Sequence, residues 1–294
     1  MSQILKTQIR REFWEHRSLW VAPLVVAVLL LLSAVIGQVS LAVGLGPTPE
    51  QRKALFGLAL WLSAMPEFVT LWIVAWMYGA DCLYSERRDR SILFWKSMPV
   101  SDAQTVLSKL LVVGVIVPLG VYLLTLVTSL LICGLYGLRT LVGHVPGGFF
   151  WDTAIWLRMQ LLSFEGLVIM QLWFAPVTAF LMLVSAWARR NVQLWVFLPA
   201  LVAIVMERIV FGTHHLQDLL WYRLGGVFVM QANAVSATLP VLPGGDAAGS
   251  ALDKLFASID PTPVFGNIDL WLGLPVAAVF IVVAIRIRQY RDDT

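Results

Sequence analysis

The sequence predicts an all-α polytopic membrane protein with six spans, and three observations carry that prediction. Only 13% of the 294 residues are charged and 59% are hydrophobic, whereas a soluble domain carries about 25% charged residues. Mean hydropathy is +0.79, so lipid rather than water is the main solvent. Apolar runs long enough to cross a bilayer, about 20 residues each, recur between short basic segments. The 13 tryptophans suit the same setting, because an indole ring favours the membrane interface, where its N–H finds a partner.

Residues 1–18 are polar with apolar beats. Leu5, Ile9 and Phe13 share one helical face, and Lys6, Arg10 and Arg17 line another. This is the pattern of an amphipathic helix in the membrane interface, with a plain charged tail as the alternative. The first span runs from Leu19 to Val43 and ends at a Gly-Pro-Thr-Pro turn, Gly46 to Pro49. It exceeds the roughly 7–15 apolar residues of a cleavable signal, so the N-terminus is expected to be retained. The second span, Leu55 to Ala80, carries Glu67 near its middle, just after Pro66.

Residues 81–109 are a charged, amphipathic loop. The third span follows from Leu110 to Leu138 and contains Pro118, which a membrane helix tolerates. Residues 139–160 connect onward, with a turn at His144, Pro146, Gly147 and Gly148 and a short interfacial helix over Trp151 to Met159. The fourth span is Leu161 to Trp187. Ala188 to Asn191 make a tight basic turn, and the fifth span is Val192 to Gly212. Residues 213–267 form a long segment on the opposite side. Its apolar piece, Leu219 to Met230, is short and interrupted by Gly225 and Gly226, which predicts a re-entrant or surface helix. A loop over Pro240 to Gly249, a short helix over Ala251 to Ile259, the sixth span at Ile268 to Ile285 and a basic tail complete a single domain, 1–294. No internal repeat is evident.

Orientation follows from the basic residues. With the N-terminus inside, 14 of the 21 Lys and Arg fall in the short cytoplasmic pieces. The others (Arg52, Lys53, Arg139, Arg158, Arg208, Arg223 and Lys254) are spread over far more sequence. Both termini are therefore expected in the cytoplasm. The net charge of +3 and pI near 9.0 reflect this bias and not a nucleic-acid stripe.

The loop after the second span is too amphipathic for a simple connector. Asp81, Glu86, Arg87, Arg88, Asp89 and Arg90 crowd into ten positions, and Glu86 and Arg90 have the spacing of a helical ion pair. Ile92, Leu93, Phe94, Trp95 and Met98 then form an apolar stretch stopped by Pro99. Ser101 and Gln104 make a capping-box signature for the next helix. A charged helix with a bulky apolar face suits a docking element; a positive-inside loop with an interfacial helix explains the pattern equally.

Glu86 to Asp102, E-R-R-D-R-S-I-L-F-W-K-S-M-P-V-S-D, resembles the loop of type-2 ABC exporter permeases. There a glutamate, a basic step, an apolar helix and Pro-Val-Ser lead into the third of six spans. The N-terminal helix, six spans and the large segment before the last span are similar as well. The likeness covers the whole chain in topology and about residues 80–110 in sequence. Asp89-Arg90-Ser91-Ile92 departs from the commoner Gly-Thr-Leu-type step, which points to a subgroup and leaves the substrate open.

The resemblance implies a transport subunit of the cell inner membrane whose loop is a coupling helix seated in a separate ATPase subunit. Glu86, Arg87, Arg88, Asp89 and Arg90 would pair with ATPase charges. Phe94, Trp95 and Met98 would fill an apolar groove, as aromatic anchors do in helix-in-groove contacts. It also implies a second permease subunit, either a further copy of this chain or another gene product. No G-x-x-x-x-G-K-[ST] phosphate loop occurs, so ATP and Mg would be held by the partner and no cofactor by this chain.

Other residues point less sharply. Glu67 is the ionisable residue nearest mid-membrane, and such groups face a bundle interior or a wet pathway. A pathway role and a buried hydrogen bond to a neighbouring helix are both open. Glu165, Glu207 and Arg208 lie near the outer ends of the fourth and fifth spans, where an ion pair is expected, with a substrate site as the alternative. His214 and His215 are adjacent, point apart and lack an evident third ligand, so no metal site is expected. Cys82 and Cys133 fall at opposite faces and are expected to stay unlinked. Neither a Ser-His-Asp set nor paired carboxylates argue for an enzyme. The rival reading is a proton- or ion-coupled secondary transporter, which needs further intramembrane charges and broken helices in matching halves.

Overall fold

A computed structural model describes residues 3–36, 49–89, 101–142, 151–238 and 265–290. Among these residues there is no strand, and six helical stretches are long and apolar enough to cross a membrane. The chain is an all-α polytopic membrane protein.

The N-terminal helix α1 (Gln3–Glu15) turns at His16 into the first span, α2 (Ser18–Ile36). Ile9 and Phe13 of the amphipathic face pack on the bundle core, while Lys6, Arg10 and Arg17 stay exposed. Helix α3 (Pro49–Asp81) opens on a proline, at a helix start where the missing N–H costs nothing. A short helix α4 (Tyr84–Arg88) follows at once.

The chain is described again from Ser101. Here the predicted capping box forms in full: Gln104 N donates to Ser101 Oγ at 3.2 Å and Ser101 N to Gln104 Oε1 at 3.3 Å. It starts α5 (Asp102–Leu111), which widens into one π-helical turn, Val112–Ile116, and continues as α6 (Val117–Leu141). Pro118 has no N–H to give the preceding turn, and a widened turn is one way a helix absorbs that loss.

The expected division at residue 160 is absent. Residues 153–187 form one helix, α7 (Thr153–Trp187), whose first N–H groups are capped by Asp152 Oδ1 at 2.9 and 3.1 Å. No Gly or Pro lies between Thr153 and Phe164, so nothing breaks the helix where the lipid ends. At about 1.5 Å per residue it is about 52 Å long, well beyond a hydrocarbon core of about 30 Å. The basic turn then forms with Asn191 at φ 50°, a left-handed conformation that asparagine tolerates. It leads into α8 (Val192–Val210).

Helix α9 (His215–Thr238) runs through Gly225 and Gly226 without a break. The expected interruption does not occur: a glycine lowers helix propensity by about 1 kcal/mol but, unlike proline, keeps its backbone N–H for the helical hydrogen bond. The last span is α10 (Ile268–Tyr290). The apolar part of the charged loop and the expected short helix at 251–259 lie outside the described residues.

Helix α7 is central, flanked along its length by α10 and α3, with α2 and α6 completing the bundle. Gly79 allows a close α3–α7 approach: a Cβ there would meet Leu181 Cβ at 3.3 Å. Small residues serve membrane helix contacts in this way. Helix α8 buries only Val192 and Val196 and otherwise presents an apolar surface.

Candidate functional site

The two ends of the bundle differ in chemistry. At the end where α3 hands over to α4, charged side chains from four helices converge inside the protein. Helix α1 brings Arg11 and Glu12, α4 Glu86, α5 Asp102 and Lys109, and α10 Arg288. Lys109 Nζ lies 2.7 Å from Glu12 Oε1 and 3.2 Å from Glu86 Oε1. Arg11 also pairs with Glu86. Arg288 bridges outward, Nη1 to Glu86 Oε2 at 2.6 Å and Nε to Asp102 Oδ1 at 2.8 Å. Tyr78 of α3 donates its hydroxyl to Glu12 Oε2 at 2.8 Å.

Three carboxylates thus face three cations. Lys109 is 0% exposed, Glu12 2% and Glu86 3%. Removing such charges from water is costly, and only pairing and hydrogen bonds from several sides offset it. The cluster is therefore a fixed joint: each charge holds the others in place. Glu12, Glu15 and His16 come close enough for a metal, but Glu12 is already held by Lys109 and Tyr78, and Arg11 lies against Glu12 and Glu15. A cation would meet two positive charges there.

Glu86, expected to pair with a partner, is the centre of this internal network. Its Arg90 neighbour lies outside the described residues, as do Phe94, Trp95 and Met98. Arg87 also turns inward. Its Nη2 donates to the Ser185 and Ala188 carbonyls at 2.5 and 2.9 Å, capping the C-terminus of α7, where orphan carbonyls favour a cation. Ser185 Oγ in turn accepts from Leu83 N and Tyr84 N, both at 3.0 Å. Arg88 and Asp89 are exposed and pair with each other at 3.1 Å.

Sequence reading did not find Glu12, Lys109, Arg288, Tyr78 or Ser185. A signal for Glu12 exists: it falls on the apolar face of α1, between Ile9 and Phe13, where a charge needs a buried partner. For Lys109 the signal is its place at the head of a long uncharged run.

Glu67 is 0% exposed and faces α6, where Thr125 Oγ1 donates to its Oε2. Its Oε1 has no hydrogen-bond partner, and no described cation pairs with it. On the other side of α3, a largely apolar cavity of about 180 Å3 opens against α7, lined by Trp61, Phe68, Trp72, Leu167 and Met170 among others. Glu67 does not line it.

The expected pairing of Glu165, Glu207 and Arg208 does not form. Glu207 instead caps the start of α9, accepting from Thr213 Oγ1 at 2.8 Å and from His215 N and Leu216 N, both at 2.9 Å. Free backbone N–H groups outcompete a neighbouring side chain for its two oxygens. Cys82 and Cys133 are buried free thiols.

No family model, curated protein or solved structure matches the chain.

Proposed function

We propose that this chain is the membrane-spanning permease subunit of an ATP-driven exporter, working with a separate ATPase and a second permease subunit. The ATPase would engage the loop following α4, and closure of the ATPase dimer would push that end of the bundle to open a pathway between permeases. The substrate is left open.

One observation supports this reading above the rest. The segment from Asp81 to Lys109 is bolted to the bundle at both ends. Glu86 and Lys109 tie it to α1 and α10, and Arg87 and Ser185 tie it to α7. A force on the loop would move these helices together. The π-turn at Val112–Ile116 gives the third span a place to bend directly above the joint. In this reading the buried charges transmit force, and the contact with the ATPase falls to exposed Arg88 and Asp89 and to the apolar stretch beyond them.

The test is purification of the tagged chain from its own host in mild detergent. A co-purifying ATPase with a phosphate loop is expected, and its recovery should drop about tenfold in an Arg88→Ala, Trp95→Ala variant that still migrates as a folded protein. Complete absence of an ATPase would overturn the reading. The alternative, an ion- or proton-coupled transporter, draws on Glu67, a carboxyl group buried in a span without a described cation partner. It would gain if transport by the isolated chain in vesicles followed an imposed ion gradient and failed in Glu67→Gln.

A further inference from the structure

The cavity between α3 and α7 plays no part in the charge cluster or the coupling loop. Its volume is about 180 Å3, and its wall carries the rings of Trp61, Phe68 and Trp72 and the thioethers of Met65 and Met170. That wall is held in place. Trp72 stands edge-on to Phe174, which is itself buried, and the adjoining Leu71 and Leu167 belong to the buried core.

Two further residues on the wall, both of α7, have no packing explanation. At Gly166 a Cβ would meet no atom within 4 Å, whereas at Gly79, on the same seam, Leu181 takes up the space. A glycine inside a helix costs about 1 kcal/mol relative to alanine. No close contact offsets that cost at Gly166, and the effect of its missing side chain is to keep the cavity open. Gln171 lies in the uncharged run from Gly166 to Ala188, and its amide makes no hydrogen bond among the described residues. An amide without a partner in apolar surroundings is costly. The other polar group on the wall, Ser163, already donates its hydroxyl to the Met159 carbonyl at 2.8 Å.

These features define a guest. No ionisable side chain lines the cavity among the described residues, so a charged molecule would go unpaired. An apolar cavity of about 150 Å3 admits benzene, so this one has room for a substituted ring. Aromatic walls and thioethers favour an aromatic guest. A lipid tail would suit the rings but leave the Gln171 amide without a partner. Val69 and Ile73 on the rim are exposed, which gives access from the bilayer.

We propose that this cavity is a binding site for a neutral, apolar ring compound that carries one hydroxyl or carbonyl group. The ring lies among Trp61, Phe68 and Trp72, and the polar group bonds the Gln171 amide. The site belongs to the spanning fold and does not depend on ATP coupling.

The test follows the thermal midpoint of the full chain in detergent against 4-propylphenol, propylbenzene and nonane, with each concentration counted in the micelle. The phenol should raise the midpoint of the wild type at about tenfold lower concentration than propylbenzene, the worth of roughly one hydrogen bond, and nonane should have little effect. Gln171→Leu should remove the difference between the two ring compounds. Gly166→Leu puts a side chain into open space, so it should fold and lose both responses. A full response in Gly166→Leu overturns the site. Equal responses to the two ring compounds in the wild type overturn recognition by Gln171, and an equal response to nonane overturns the ring compound in favour of a lipid tail. If Gly166→Leu does not fold, uptake of radiolabelled 4-propylphenol by the wild type decides: it should saturate at a single equivalent per chain above the uptake of empty micelles, and uptake that does not saturate overturns the proposal.

Discussion

Lys109 illustrates how a charge at the edge of a span becomes part of the interior. It is fully buried between Glu12 and Glu86. Replacing it with methionine would leave Arg11 as the one cation between these two carboxylates among the described residues. Breaking a buried pair from one side costs about 3–5 kcal/mol, so Lys109→Met should unfold at a markedly lower temperature in detergent. Adding Glu12→Gln should recover part of that loss, because coupled sites are not additive. Strictly additive penalties would show that the two residues are not coupled.

His16, beside the same joint, carries a pH prediction. Burial pushes its imidazole below the ordinary 6.5, although Glu12 pulls the other way. It stands edge-on to Tyr78 at 5.0 Å between ring centroids. A base with a depressed folded-state pKa binds its proton more readily when unfolded. The stability linked to it is therefore present above about 6.5 and is lost as pH falls through that value toward the folded one. A series of melts from neutral to mildly acid pH should show this loss in the wild type, and His16→Gln should lack that component.

At the scale of elements, local chemistry was well written into the chain. The capping box at Ser101 and Gln104 was legible because its partners lie three residues apart. The turn before α8 was legible because the polar run Arg189 to Asn191 interrupts two long apolar stretches. Helix α7 was misread as two pieces for a physical reason: bilayer thickness limits the apolar window but does not end a helix, and nothing in residues 153–187 does so before Trp187. The α3–α7 contact was not legible, since Gly79 has meaning only once Leu181 lies against it. Gly79→Val should overpack this seam and cost about 1–3 kcal/mol, read as a lower thermal midpoint. Leu181→Ala in the same chain should relieve part of that cost.

At the scale of the molecule, Arg11 of α1 and Arg288 of α10 meet on Glu86, so the first and last described helices finish at the same end of the bundle. The basic-residue bias predicts that this end is cytoplasmic. Fluorescent-protein fusions to either terminus should then glow, and alkaline phosphatase fusions at the same points should be inactive. The reverse pattern would invert the topology and with it the proposed site of ATPase contact.

The sequence by itself determined the class, the six apolar stretches and the capping box at Ser101 and Gln104, because hydropathy and capping depend on neighbouring residues. Only the tertiary structure decided what the charges do. Glu86 reads in sequence as the start of an outward-facing loop, yet it is tied to Arg11, 75 positions earlier, and to Arg288, 202 positions later. Arg223 reads as one scattered charge in a long connecting segment, yet its guanidinium lies over Trp173 in the notch that Gly273 leaves. Pairings over such distances depend on which helices close on one another in space, and that is a property of the packed bundle and not of any stretch of the chain.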